Sequence, residues 1–308
     1  MKKLYKILIA IAVFFFLDFA ISSLLKEGLN KGFGLRQESE ILIVGHSHMM
    51  MGVDRDKLEK GLKCKISKYT RTGVSLPERY LMTQQYLNSK YSKKLKAALI
   101  GVDAFTFSEG NISKNCYTLF YPFYEDKNVN DYLKRHAKPT EYWQHKIIRL
   151  SRYSDDLINS SVRGWMHDDK NYKTNQINMD EFEKQRSKWK SNISFNKELM
   201  SKLNELIHML TKRGIKVYLV NTPTLDTINH TQPENYKYIM EYYRKLANNN
   251  MVYFIDFTKH ESNYELFFDP LHLNVNGQTL VTDSLIQFLY LQPIVTQYLV
   301  CNKSEIWP

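Results

Sequence analysis

Apolar positions along the chain form short runs that alternate with helical stripes. Buried strands are expected at Ile41–Val44, Cys64–Tyr69, Ala97–Val102, Val217–Val220 and Val252–Phe257. Between them, leucines spaced three or four residues apart, as from Leu199 to Leu210, predict amphipathic helices. Strands that alternate with helices predict an α/β fold. One parallel five-stranded sheet would be covered by helices on both faces, giving three αβα layers.

One long stretch does not follow this alternation. Residues 108–195 are polar, aromatic and weakly periodic, and a structureless loop of that length is uncommon. We therefore expect an inserted helical lid there. The predicted organisation is an anchor or signal peptide at 1–26, a polar link at 27–40, a main domain formed by 41–107 and 214–292 with a further helix at 196–213, the insert, and a tail at 293–308.

The N-terminal segment is apolar and preceded by lysines. An apolar run over 7–17 is separated by Asp18 from a second run over 19–25. Both runs together can form one membrane-spanning helix, whereas the first alone resembles the core of a cleavable signal peptide, and a buried amphipathic helix is a third reading. We expect an uncleaved anchor with residues 27–308 outside the cytoplasm, because basic flanks stay inside. Asp18 would lie near the interface or pair with a partner helix, since a carboxylate at mid-bilayer is costly.

The composition is that of a globular protein, with 43% hydrophobic and 24% charged residues and a net charge of +11. A basic surface is typical of nucleic-acid-binding proteins, but an exported domain favours anionic glycans or lipid headgroups instead. A solvated basic surface without a partner is the alternative. Cys64, Cys116 and Cys301 are too few and too scattered for a disulfide framework or a zinc site, although one pair could bridge.

Polar residues after the strands are the first candidates for a site, because open parallel sheets bind ligands at the carboxyl ends of their strands. Ser47 follows the first strand, and Asp269 and His272 lie three residues apart near the C-terminus. A serine hydroxyl needs a base, and the base needs an orienting acceptor. Ser47 as nucleophile, His272 as base and Asp269 as its partner form such a set. The alternatives are a helix cap at Ser47 and a turn with a core histidine at 269–272.

Further polar or turn-forming residues at the strand ends could line a pocket. They are His46, His48, Gly73, Asp103, Asn221 and Thr222. The two neighbouring histidines could bind a metal ion together with Asp269 and His272, but three methionines follow where further ligands would be needed. We therefore expect neither a metal nor an organic cofactor.

The order of these blocks, their positions after strands and the terminal Asp-x-x-His resemble the SGNH (GDSL-like) hydrolase superfamily. The resemblance covers about residues 38–107 and 214–292. The Gly-x-Ser-His sequence at 45–48, with a basic N-terminal anchor, is similar to bacterial surface-polysaccharide acyl-transfer proteins. These include the family that assists D-alanylation of teichoic acids and the O-acetylation proteins of exopolysaccharides. The resemblance implies a flavodoxin-like strand order and an oxyanion hole formed by the backbone N–H groups of Ser47 and Gly73.

Two positions depart from the pattern of that superfamily. His46 stands where the first block usually has Asp, and Asp103 stands where the third block usually supplies an Asn to the oxyanion hole. An ionised carboxylate cannot donate a hydrogen bond. Either another group, such as His48, Asn221 or Thr222, takes that role, or Asp103 is protonated, or the activity is low.

The resemblance implies an extracytoplasmic serine O-acyltransferase or esterase that acts on cell-surface polysaccharide through an acyl-serine. The acceptor would be a glycan hydroxyl or water. The implied partners are the membrane and, by analogy, a multi-spanning acyl-exporting protein, with no nucleic acid. The alternative is a non-catalytic glycan-binding or scaffolding protein on a degenerate SGNH fold.

Overall fold

A parallel sheet is the centre of the computed structural model, which describes residues 2–108, 116–189, 192–229, 231–247 and 249–291. Its strands are β1 (Ile41–Gly45), β2 (Ile66–Thr70), β3 (Ala97–Val102), β4 (Lys216–Asn221) and β5 (Val252–Asp256). The five strands pair in parallel in the order β2-β1-β3-β4-β5. The predicted α/β fold with a flavodoxin-like sheet is confirmed. A separate antiparallel pair, β6 (Phe267–Asp269) and β7 (His272–Leu273), was not predicted.

Helices flank the sheet on both faces. Within the described ranges the α-helices are α1 (Lys2–Phe33), α2 (Ser47–Gly52), α3 (Arg55–Leu62), α4 (Leu76–Leu87), α5 (Lys127–His136), α6 (Pro139–Ile147), α7 (Asp155–Trp165), α8 (Met179–Gln185), α9 (Lys197–Thr211), α10 (Asp226–Asn229), α11 (Pro233–Leu246) and α12 (Val275–Tyr290). Helices α3 and α12 pack on one face, and α4, α9 and α11 pack on the other. Successive strand residues point to opposite faces, and both faces are covered, which is why the strands other than β2 contain continuous apolar runs.

The described residues divide into two compact units. One unit contains residues 37–113 and 170–308, with the sheet, and the other contains residues 1–36 and 114–169. The insert therefore differs from the predicted lid over 108–195. Its last part belongs to the sheet unit, where Ile177 and Phe182 are buried in the core beside α12. The predicted tail at 293–308 lies outside the described residues.

The N-terminal helix is longer than the predicted segment. It continues to Phe33, so the first half of the expected polar link at 27–40 is helical, and Leu29 and Phe33 are buried. The helix is long and apolar enough to cross a membrane, with a mean hydropathy of 2.5 over its best 18 residues, of which 11% are buried. A membrane anchor or a signal sequence would both have this character.

The carboxylate of Asp18 finds its hydrogen-bond donors within the unit formed by residues 1–36 and 114–169, which we call the helical unit. Its carboxylate accepts hydrogen bonds from the backbone N–H groups of Arg149 at 2.9 Å and Leu150 at 2.7 Å, and the residue is 2% exposed. These N–H groups lie at the start of a 3₁₀ turn, Leu150–Arg152, where they lack partners within the turn. The carboxylate of Asp18, which interrupts the apolar run of α1, therefore links this helix to the insert by hydrogen bonds.

Small residues let α1 and α7 approach closely. Gly28 and Gly32 are spaced by four on α1, and they face Gly164 of α7. A Cβ atom on Gly164 would lie 1.9 Å from the carbonyl oxygen of Gly28. No side chain fits at this contact, and the Gly-x-x-x-Gly spacing at 28–32 is the sequence signal for it.

Replacing Gly164 with alanine is expected to separate α7 from α1. The clash is with backbone, which cannot rotate away, so we expect a loss of about 1–3 kcal/mol or more from the helical unit. Faster proteolysis and faster amide exchange over 155–165 would report it. Val162→Ala, on the exposed side of the same helix, is the control and should leave both rates unchanged. Wild-type protection of Gly164→Ala would contradict the close packing.

Candidate active site

Ser47, His272 and Asp269 form a continuous hydrogen-bonded chain. The Oγ of Ser47 lies 2.8 Å from Nε2 of His272, and Nδ1 of His272 lies 2.9 Å from Oδ2 of Asp269. The serine is half-buried, and the side chains of His272 and Asp269 are 21% and 25% exposed. The structure therefore brings together the three residues that the sequence proposed as nucleophile, base and orienting acceptor.

The serine is placed by the packing of α2 on the sheet. Ser47 is the first residue of α2, directly after β1. Two residues later Met49 is fully buried against Gly45 at the end of β1 and Gly101 near the end of β3. A Cβ atom at either glycine would lie within 2.5 Å of the Met49 side chain. The absence of side chains at both strand ends is what allows the short helix to lie across them.

Two contacts that sequence reasoning missed hold the other end of α2. Lys68 of β2 is buried and donates from Nζ to the carbonyl oxygens of Met50 at 2.8 Å and Val53 at 2.6 Å. A cation at the C-terminus of a helix satisfies carbonyls that have no partner within the helix. Asn171 donates to the carbonyl oxygens of Met51 at 3.3 Å and Leu273 at 2.8 Å. It thereby joins the serine helix to the strand that carries His272.

Asp269 and His272 are positioned by the β6–β7 pair, in which they are cross-strand partners. Oδ1 of Asp269 also accepts from the backbone N–H groups of Leu271 and His272. Burial raises the pKa of Asp269, but the hydrogen bonds from His272 and from those N–H groups outweigh it, so the net pKa lies below the ordinary value. The ring of Phe268 stacks on His272 at 5.7 Å between centroids. Asp269 is therefore an ionised acceptor that fixes the histidine ring.

Asp103 is paired with the two histidines on either side of Ser47. Its Oδ2 lies 2.6 Å from Nε2 of His46 and 3.0 Å from Nδ1 of His48, the second contact without the alignment of a full hydrogen bond. Burial raises the pKa of Asp103, but the two histidines outweigh it and hold the pKa well below the usual range. Burial lowers the pKa of His46 to about 4. At neutral pH the pair is an Asp103 carboxylate with a neutral His46.

A buried arginine, Arg79, interacts electrostatically with Asp103. Arg79 of α4 is fully buried and donates from Nη1 to the carbonyl oxygen of Gly101 at 2.6 Å. Its electrostatic interaction with Asp103 favours both charges, although burial lowers the pKa of Arg79. A buried carboxylate is costly unless paired. Sequence reasoning did not single out Arg79, because nothing in its helix distinguishes it from a surface arginine.

His46, His48 and Asp103 could offer three ligand atoms to a metal ion, since these atoms lie within 4.8 Å of one another. The hydrogen bond of His46 disfavours this use. Its Nδ1 accepts from the backbone N–H of His48 at 3.2 Å, whereas an imidazole that binds a metal through Nε2 carries its proton on Nδ1. The same bond assigns the proton of His46 to Nε2, where it is donated to Asp103. The cluster therefore fits a proton and hydrogen-bond network better than a metal site.

The remaining predicted pocket residues have different surroundings. Gly73 lies in the turn after β2 with a φ of 73°, a left-handed conformation that favours glycine. Asn221 is buried and donates to Asp256 at 3.2 Å. Thr222 packs against Gly52 at the end of α2. Asn221 is thus engaged with β5, and the structure gathers His46, His48 and Asp103, but not Asn221, around Ser47.

The two cysteines among the described residues take no part in this arrangement. Cys64 and Cys116 are not joined in a disulfide, and Cys301 lies outside the described residues. Burial raises the pKa of Cys64 to about 12, so its thiol is protonated at neutral pH.

Comparisons with known proteins do not assign an activity to the chain. No protein-family model and no curated protein matches the chain. Among solved structures, a protein from Streptococcus pneumonia described as a candidate platelet activating factor is similar at 12% identity, with a TM-score of 0.41, over 91% of this chain and 99% of that chain. A similarity this distant carries no argument about activity.

Proposed function

We propose that the chain is a membrane-anchored serine acyltransferase or esterase that acts outside the cytoplasm on O-acyl groups of cell-surface polysaccharide. The observation that carries the proposal is the chain of hydrogen bonds from Ser47 through His272 to Asp269 at the carboxyl end of a parallel sheet. The polysaccharide acceptor rests on the resemblance of the Gly-x-Ser-His block and the N-terminal helix to surface-polysaccharide acyl-transfer proteins.

The geometry supports an acyl-serine mechanism. His272 takes the proton of the Ser47 hydroxyl while Oγ forms a bond to the acyl carbon of the donor. The tetrahedral intermediate collapses, the bond to the leaving oxygen breaks, and His272 returns the proton to that oxygen. A glycan hydroxyl or water then attacks the acyl-serine with the same proton transfers in reverse. Asp269 keeps Nε2 of His272 unprotonated at the start of each half-reaction.

The oxyanion that forms in this reaction needs donors. The backbone N–H groups of Ser47 and Gly73 are two candidates, Ser47 at the start of α2 after β1 and Gly73 in the turn after the adjacent strand β2. In this proposal His48 is the third donor and acts as an imidazolium, because its Nδ1–H faces the carboxylate of Asp103 and only a proton on Nε2 as well can be donated to a substrate oxygen. The ring of His48 packs edge-on against His272 at 5.3 Å. In this proposal His48, held by Asp103, replaces the asparagine of the related hydrolases.

Asp103→Asn is expected to lower kcat for ester turnover by about 10²-fold. The amide can still accept the hydrogen bond of His46, but it removes the charge that orients and polarises His48. KM should change little, because the oxyanion exists only after attack. Asp256→Asn is the control, since Asp256 also ends a strand and binds backbone and side-chain donors but touches neither histidine. An unchanged or raised kcat in Asp103→Asn would contradict the role of His48.

The direct test of the function is acyl transfer by the 308-residue chain in detergent. Hydrolysis of p-nitrophenyl acetate is measured first, followed by transfer of the acetyl group to de-O-acetylated polysaccharide. Hydrolysis alone would establish an esterase, and acetylated glycan would establish a transferase. If the protein binds the glycan but no acyl-serine is detected by mass spectrometry, the proposal is wrong.

The alternative, a non-catalytic glycan-binding protein, is favoured by one observation. Asp103 occupies the position from which related hydrolases donate to the oxyanion, and its carboxylate is already paired with histidines. The intact Ser47–His272–Asp269 chain opposes it, because a binding protein has no use for a serine hydrogen-bonded to an oriented base.

A further inference from the structure

The helical unit exposes an apolar and basic segment next to the contact of Asp18. In this segment, residues 143–149, Trp143 and Ile147 are 57% and 59% exposed. Nζ of Lys146 lies 5.2 Å from the centroid of the Trp143 ring, and the guanidinium of Arg149 lies 4.7 Å from the ring of Phe19 on α1. Large apolar side chains that are exposed together, with basic side chains between them, are typical of an interaction surface.

The C-terminal end of this segment is held at the level of Asp18 on α1 by hydrogen bonds. Asp18 accepts from the backbone N–H groups of Arg149 and Leu150. Helix α7 meets α1 further along the chain. There, Nε1 of Trp165 donates to the carbonyl oxygen of Leu24 at 3.1 Å, and Nζ of Lys31 lies 4.6 Å from the Trp165 ring. The segment at 143–149 is thus nearer to the exposed N-terminal half of α1 than Trp165 is.

The apolar length of α1 places the membrane boundary at that level. The helix is exposed all round from Leu4 to Leu17, which at about 1.5 Å per residue is only ~21 Å. The hydrocarbon core of a bilayer is about 30 Å thick. Beyond Asp18, α1 still exposes apolar residues, namely Phe19, Ile21 and Leu24, which extends the apolar length to ~32 Å. A bilayer that covers α1 therefore reaches past Asp18, to the side chains of the 143–149 segment.

We propose that the 143–149 segment lies in the interfacial layer of the membrane that α1 crosses. Trp143 and Ile147 contact acyl chains, and Lys146 and Arg149 reach anionic phosphate headgroups. Tryptophan concentrates at membrane interfaces, and long basic side chains keep their charges at the headgroups while their stems lie in the apolar layer. The chain from 138 to 152 has four basic residues and one acidic residue. This inference rests on the proposed membrane anchor.

The surface also explains the acidic residue within the apolar helix. At the edge of the apolar layer of the membrane, an unpaired carboxylate is costly because little water is present to hydrate it. The insert supplies the hydrogen bonds that Asp18 needs at this depth. The contacts of Ser22 with Tyr153 and of Leu24 with Trp165 make the second half of α1 part of the folded unit. Removal of α1 as a signal peptide would break this unit, which favours retention of the anchor.

Tryptophan quenching by brominated lipids tests the proposal. Three variants of the 308-residue chain each contain a single tryptophan. The first retains Trp143, the second retains Trp165, and in the third all native tryptophans are Phe and Phe15→Trp marks the centre of the span. Each is reconstituted in vesicles of phosphatidylcholine and phosphatidylglycerol with brominated acyl chains, and thermal melts confirm that it is folded.

The proposal predicts strong quenching at positions 15 and 143 and several-fold weaker quenching of Trp165. Removing phosphatidylglycerol, or introducing Lys146→Gln with Arg149→Gln, should weaken quenching of Trp143 but not at position 15. Quenching at position 15 without quenching of Trp143 would overturn the interfacial surface and leave the anchor intact. No quenching at either position would overturn both.

Discussion

Replacing Ser47 with alanine is expected to reduce ester turnover by about 10⁴-fold or more. Removing Oγ leaves no atom that can carry the acyl group, so what remains is stabilisation by the oxyanion donors and substrate binding. The fold should be unaffected. Ser47 is half-buried at the first position of a helix, the N-terminal cap comes from the preceding His46, and its Oγ bonds to His272.

Initial rates with p-nitrophenyl acetate, together with thermal melts, measure this effect. Ser262→Ala is the matched control, because Ser262 is an exposed serine whose hydroxyl bonds to Asp226. It should retain the wild-type rate. If Ser47→Ala hydrolyses the ester at the wild-type rate, the acyl-serine mechanism is wrong, whatever the wild-type activity is.

Asp269→Asn is expected to reduce turnover by about 10³–10⁴-fold with the backbone of the site intact. The amide oxygen can replace Oδ1 of Asp269, which accepts from the N–H groups of Leu271 and His272. The amide nitrogen would then face Nδ1 of His272 and require that atom to be an acceptor. The proton of the neutral histidine would move to Nε2, where the ring can no longer accept the proton of Ser47.

The tautomer shift distinguishes this effect from loss of structure. Nitrogen-15 NMR of the imidazole should show the proton of His272 on Nδ1 in the wild type and on Nε2 in Asp269→Asn. Asp283→Asn, at a surface ion pair with Lys57, should change neither the tautomer nor the rate. Full activity in Asp269→Asn would show that His272 does not need Asp269, and that the three residues do not act as a unit.

Most of the sheet could be predicted from the sequence because β1, β3 and β4 are buried on both faces and contain apolar runs, whereas β2 buries Ser67 and Lys68 and has no such run. The predicted run Ala97–Val102 coincides with β3. The order of the strands brought residues that are 225 positions apart in sequence, Ser47 and His272, into contact. The residues that follow β1 and β3 could be proposed for one site because the carboxyl ends of parallel strands lie at the same edge of the sheet.

The supporting contacts could not be predicted. Lys68 reads as one of many lysines, and its buried ammonium is explained only when the carbonyls at the end of α2 are seen beside it. From the sequence, Asp103 is interpreted as the loss of a donor to the oxyanion hole, because its distances to His46 and His48 cannot be derived from the sequence. The β6–β7 pair has strands of two and three residues, too short for a periodic pattern to show.

The division of the insert also required the structure. Residues 116–169 pack with α1 in one compact unit, through Asp18 and the Gly28–Gly164 contact. The sequence favours a membrane anchor for the apolar residues of α1 and leaves a buried helix as an alternative, since composition does not distinguish a lipid-facing side from a side that packs on protein.

The most direct test of an activated serine is covalent labelling with an alkyl fluorophosphonate, mapped by peptide mass spectrometry. Oγ of the serine forms a bond to phosphorus as the bond to fluorine breaks, fluoride leaves, and His272 takes the proton. We predict one label, on Ser47, that is absent from Ser47→Ala and forms far more slowly in Asp269→Asn. An unlabelled wild-type chain that is folded, or a label that persists in Ser47→Ala, would contradict the account.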